Sequence, residues 1–157
     1  MIDDLEVLLK SAVCDVLRTM LNFDAHPVPL DKEITKSEAH VAGSVGFIGT
    51  MSGVVYIYTS ATFAARMTSL LLGLAEREIP ADELVNDAMG ELANMIVGNF
   101  KSALVERGQS CVLTIPSIVR GSQFSVETTS RTTRRVLCFR CNDSQRLLVE
   151  LLLRTSA

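Results

Sequence analysis

The chain has 157 residues, 48% of them apolar, a net charge of −3 and no tryptophan. That length suits one domain, 1–157, whose core must be built from Leu, Val, Ile, Ala and Met. The acidic balance gives no electrostatic drive towards nucleic acid or anionic lipid. No apolar run approaches the roughly 18 residues that a membrane span needs. The start, Met-Ile-Asp-Asp-Leu-Glu, is acidic and does not read as a secretory signal, so a cytoplasmic protein with reduced thiols is expected.

In chain order, residues 3–21 repeat apolar positions at helical spacing (Leu5, Leu8, Leu9, Ala12, Val13, Val16, Leu17). Asp3 and Asp4 suit the positive end of that helix. Pro27 and Pro29 break the pattern, and 28–38 carries a weak strand signal. Strands follow at 41–49 and 53–59, joined through Gly49-Thr-Met-Ser-Gly53 as a hairpin. Gly43, Gly46 and Gly49 would let another backbone come close.

Thr59 or Ser60 can cap a helix through Leu72, with Gly73 as its stop. Pro80 opens a long helix, with Asp82 and Glu83 in its first turn, ending at Arg107 and Gly108. Residues 80–107 would span about 42 Å. The last third reads as strands at 111–119, 122–130, 134–142 and 146–153, with a turn at Cys141-Asn-Asp-Ser-Gln145. The order of helix, strands, two helices, strands predicts an α+β fold with a mostly antiparallel sheet against long helices. In the last strand, Arg146–Leu153, only Glu150 interrupts the apolar run. With no proline, it reads as an edge open to pairing in a homodimer, the alternative being a central strand whose apolar run is simply core.

The long helix carries the most informative pattern. At about 100° per residue, Asp87, Glu91, Asn94 and Gly98 fall on one outward stripe. Val85, Met89, Leu92, Ile96, Phe100 and Ala103 lie opposite. A glycine inside a helix costs about 1 kcal/mol relative to alanine. Gly90 and Gly98 therefore suggest that something approaches this face closely. On periodicity alone, the stripe reads first as a solvated helix surface.

Other chemistry is thinly represented. There is no phosphate-cradling glycine loop, no Gly-x-Ser-x-Gly elbow and no histidine-based metal motif. Cys138 and Cys141 have Cys-x-x-Cys spacing, but in a strand they face opposite sides, which opposes joint metal ligation. His26 and His40 read as isolated loop residues. Arg131, Arg134, Arg135, Arg140 and Arg146 read as the solvated rim of a hairpin, split between faces by alternation.

Asp87-Ala-Met-Gly-Glu91-Leu-Ala-Asn94, with Met-Ile-Val-Gly-Asn-Phe-Lys after it and Pro116 beyond the helix, resembles the signature of the CheC/CheX/FliY family of chemotaxis phosphatases. That signature is an acidic residue or serine, three residues, Glu-x-x-Asn, and a proline some twenty residues on. The first helix lacks a second Glu-x-x-Asn, and a single motif resembles the CheX branch, whose members pair as homodimers. The resemblance implies a substrate, the aspartyl phosphate of a CheY-like receiver protein, which supplies its own Mg²⁺ and lysine. The phosphatase would bring no cofactor of its own. Asn94 would orient the attacking water, Glu91 would pair with the receiver lysine, and Asp87 would support the stripe. Gly90 and Gly98 would admit the receiver backbone. Two other readings are a non-catalytic module that binds a response regulator or flagellar-switch component, and a small-molecule hydrolase.

Overall fold

A computed structural model describes residues 2–30, 40–75, 78–122, 127–142 and 145–154. Helix α1 (Ile2–Leu21) is followed by strands β1 (Ala25–Val28), β2 (His40–Gly49) and β3 (Gly53–Ser60). Helices α2 (Ala61–Leu72) and α3 (Asp82–Glu106) come next, then β4 (Cys111–Leu113), β5 (Ser117–Gly121), β6 (Thr132–Cys141) and β7 (Gln145–Arg154). All the strand pairs are antiparallel, in the order β1-β6-β7-β3-β2-β4, with β5 also on β2. This is the α+β architecture anticipated from the order of the elements.

Period-two alternation divides the strands between two faces. Val41, Val45 and Phe47 of β2, Val55 and Ile57 of β3, Phe139 and Cys141 of β6, and Leu147, Val149 and Leu151 of β7 point into one core. The apolar sides of α1, α2 and α3 close that core, through Leu9, Leu17, Phe63, Met67, Leu92, Ile96 and Phe100 among others. Aromatic contacts tie the layers: Phe47 meets Phe100 edge-on at 5.7 Å, and Phe23 stacks on Phe63 at 5.8 Å.

Local chemistry fixes the helix ends. Ser60 Oγ accepts from the Phe63 amide, and Gly73 closes α2 in the left-handed region at φ 66°. α3 starts two residues after Pro80, with Asp82 and Glu83 in its first turn. At 25 residues it is about 38 Å long. It crosses β2 at Gly43, where a Cβ would stand 3.2 Å from the Met89 carbonyl oxygen and 3.3 Å from Ala93 Cβ. Gly46 faces Thr114, and the backbone at Ser110 and Cys111 fills the Cβ position of Gly49. Another backbone thus comes close at Gly43 and Gly49, whereas Gly46 meets a side chain, and at Gly43 the approach seats the long helix.

Several expectations need correction. The last strand is not an edge: β7 lies between β6 and β3 and bonds to both. Its apolar run is core, and both sides of its backbone are used. The sheet ends instead at β1, which contains Pro27, and at the β4–β5 line, which contains Pro116 between its two strands. A proline break hid β1, a short edge strand that tolerates Pro27 because an edge needs only part of its hydrogen bonding. His26 and His40 are strand residues, and His40 is buried. Residues 127–130 form no strand, and 123–126, with 31–39 of the weak strand signal and 143–144 of the last turn, lie outside the described residues.

The arginine cluster does divide between faces. Arg135 pairs with Glu6 of α1 at 2.9 Å, whereas Arg134 pairs with Glu150. Cys141 sits in the helix-side core while its Cys-x-x-Cys partner Cys138 does not, although both are buried.

Candidate active site

The packing of α3 decides which of its residues can act. Val85, Met89, Leu92, Ile96 and Phe100 are buried beneath it, so the stripe opposite them faces solvent. Asp87, Glu91 and Asn94 are all exposed, Gly98 is half-buried, and Gly90 is buried. Among the described residues, no side-chain hydrogen bond or ion pair engages Glu91 or Asn94. A carboxylate and an amide thus stand one turn apart, presented outward from a rigid helix.

The two glycines do different things. A Cβ at Gly90 would meet Pro116 Cγ at 3.6 Å and Ile118 Cδ1 at 3.9 Å. The close neighbour at this point is therefore the chain's own β4–β5 segment. At Gly98 a Cβ would meet nothing within 4 Å, and the surface there is open.

The β4–β5 segment flanks the stripe. β4 pairs with β2 through Phe47↔Leu113, and β5 resumes at Ser44↔Ser117. Thr114, Ile115 and Pro116 therefore face only Val45 and Gly46, so the line carries a one-residue bulge. Thr114 secures it twice: its amide donates to the Gly46 carbonyl at 2.9 Å, and its Oγ1 accepts from the Gly46 amide at 2.8 Å. Further along, Arg120 of β5 clamps the start of α3. Its Nε donates to Asn86 Oδ1 at 2.5 Å, its Nη2 donates to the Asp82 carbonyl at 3.1 Å, and its Nη1 lies 3.5 Å from Asp82 Oδ1. Sequence reading missed Arg120 and the bulge. The one signal for either was Pro116, a residue that strands hold mainly at edges and bulges.

A cleft of about 520 Å³ is lined by Phe47, Val54, Thr129, Arg131, Leu152 and Arg154, among others, and by no stripe residue. No group of three or more His, Cys, Asp or Glu among the described residues could hold a metal ion. No helix among them is long and apolar enough to cross a membrane. The stripe is a convex helix face, which suits contact with another macromolecule better than capture of a small substrate.

An antiparallel sheet covered by three helices is the α+β fold shared by solved chemotaxis proteins of the CheX and CheC-like kind. The family model described as chemotaxis phosphatase CheX matches residues 41–140, and the chain belongs to that family. It is 28% identical over 95 residues to the CheY-P phosphatase CheX of Thermotoga maritima, a match covering 60% of this chain and 59% of that protein. The crystal structure of the chemotaxis protein CheX from Desulfovibrio desulfuricans superposes with a TM-score of 0.81 at 23% identity, covering 96% of this chain and 99% of the other. A CheX–CheY–BeF3–Mg complex from Borrelia burgdorferi gives a TM-score of 0.72 at 22% identity, covering 93% and 95%. These two likenesses show the fold.

Proposed function

We propose that this protein hydrolyses the aspartyl phosphate of a CheY-like receiver domain. The observation that carries the reading is the pairing of Glu91 and Asn94, exposed and one turn apart on α3. Membership of the CheX family supports it, as does the T. maritima relative named a CheY-P phosphatase. The Borrelia complex supports a receiver as partner, since a CheX there is bound to CheY with BeF3 and Mg²⁺.

An acyl phosphate already carries a good leaving group. Its hydrolysis needs a positioned water and stabilised charge more than a protein nucleophile. α3 docks across the phosphorylated site of the receiver. The Asn94 amide enters and holds a water in line with phosphorus. The water oxygen bonds to phosphorus as the bond to the aspartate oxygen breaks, releasing inorganic phosphate and the receiver carboxylate. An uncharged amide does this without adding negative charge beside the phosphoryl oxygens. Glu91 pairs with the receiver lysine and sets the register of docking, and Asp87 supports it one turn earlier. Gly98 keeps the surface low where the receiver backbone passes. Gly90, buried under Pro116, serves the chain's own packing first. Mg²⁺ belongs to the receiver.

A homodimer is a further part of this reading, and β7 is not its seam. Light scattering tests it: the mass of two chains is expected, and that of one chain refutes it.

The deciding experiment for function is phosphate release from a panel of phosphorylated receivers of the same genome. Acceleration of at least one is expected. Binding to phosphorylated receivers without acceleration of any would favour the non-catalytic module instead.

A further inference from the structure

We infer that Ile115, raised from the sheet edge by the β4–β5 bulge, is an apolar anchor against which the receiver domain packs as it covers Glu91 and Asn94. The inference rests on the function proposed above and adds a surface to it.

Ile115 is 85% exposed. One exposed apolar side chain is ordinary on any protein. Its setting is not, for three reasons. The first is place. Pro116, the next residue, lies against Gly90, which directly precedes Glu91. A partner lying across the stripe therefore reaches the bulge. The second is rigidity. Thr114 is bonded twice to Gly46 on one side of Ile115, and Pro116, Ile118 and Arg120 rest on α3 on the other. An anchor held in place before association loses little conformational freedom when the partner arrives. The third is the bulge itself. One extra residue in an edge strand re-aims a side chain that the regular ladder would direct otherwise.

The face also continues beyond Ile115. Leu84 (43% exposed) and Val105 (49% exposed) lie on the stripe side of α3, towards its two ends. Exposed apolar side chains thus stand towards both ends of the stripe and on the adjoining strand line. Contacts placed around a centre help to exclude water from it once a partner is seated. The partner surface that would fit Ile115 is an apolar patch on the receiver beside its phosphoacceptor site. Ile115 touches no reacting atom in this account. Its role is affinity and choice of receiver.

The test uses the full chain and a receiver that it dephosphorylates, loaded with Mg²⁺ and beryllofluoride as a stable stand-in for the phosphoryl group. I115D is expected to raise Kd about tenfold, equivalent to about 1.4 kcal/mol. I115A should raise it less, and in turnover both should affect KM more than kcat. Circular dichroism and melting check that each variant folds, and I115A carries the test if I115D does not. Binding within about twofold of the parent for the folded variants would overturn the inference. Asn94→Ala, run alongside, separates the two levels. If it abolishes turnover while the Ile115 variants bind normally, only the anchor fails. If it stays fully active, the assignment of the chemistry to Asn94 fails and the anchor is judged by binding alone; if no receiver is dephosphorylated at all, the proposed function fails and the anchor with it.

Discussion

Pro116 lies against Gly90, 3.6 Å from where a Cβ would stand, and so fixes the β4–β5 segment beside the residue that precedes Glu91. That distance is ordinary van der Waals contact, so alanine fits. Gly90→Ala should leave phosphatase activity intact and raise stability by up to about 1 kcal/mol, the helix-propensity difference. Gly90→Leu has no such room. It should push Pro116 away, lower the melting temperature and weaken activity. Thermal melts with turnover of a phosphorylated receiver check both. A Gly90→Ala protein that is folded but inactive would show that the receiver, not Pro116, uses the missing side chain.

Gly98 gives the opposite pairing of effects. With nothing within 4 Å, Gly98→Ala relieves a helix-interior glycine and should stabilise the fold by about 1 kcal/mol. If the receiver backbone passes there, the same change should raise KM. Higher stability with unchanged KM would remove Gly98 from the docking face.

Glu91→Lys places a cation where the receiver lysine is proposed to sit, so affinity should fall sharply, whereas Glu91→Gln should cost less. Because Glu91 is exposed, both variants should melt close to the parent. Titration with the beryllofluoride-loaded receiver reads the difference, and equal affinity of the three proteins would exclude the pairing.

Glu150 offers a test of the fold alone. Burial raises its pKa above the usual 4.5, while the Arg134 guanidinium acts in the opposite sense without cancelling that rise. The folded state thus holds a proton more tightly than the unfolded chain. This residue's contribution to stability is therefore best at low pH and declines as pH rises from about 4.5 towards the raised value. Glu150→Gln escapes that decline. Denaturant titrations should show the variant gaining on the parent as pH rises from 4 to 8, with most of the gain above about 4.5. A parent that gains on the variant over this range would mean that the ion pair outweighs desolvation.

Much of the fold was legible because its local signals agreed. Helical periodicity placed α1, and Ser60 and Gly73 bounded α2. The Gly49–Gly53 turn marked the β2–β3 hairpin, and Gly43 and Gly49 of β2 foretold a close backbone. What failed depended on partners distant in sequence. The apolar run of β7 reads the same for an edge as for a central strand, and only its pairing to both β3 and β6 decides. β1 was hidden by Pro27, and the β4–β5 line was read as one strand because a bulge of one residue leaves little trace in alternation. For the site, the Asp87–Glu91–Asn94 stripe follows from helix geometry. The positions of Pro116 and Arg120 against α3 do not, since they are set by the pairing of β5 with β2, which α3 crosses at Gly43.

The central claim is that the Asn94 amide performs the chemistry. The measurement that tests it most directly is single-turnover dephosphorylation of a receiver by Asn94→Ala, paired with its affinity for the beryllofluoride-loaded form. The side chain is exposed and alanine favours helix, so the variant should fold as the parent does. Acceleration should fall by at least tenfold, about 1.4 kcal/mol of barrier, with affinity largely kept. A folded Asn94→Ala protein that dephosphorylates the receiver at the parent's rate would contradict the account.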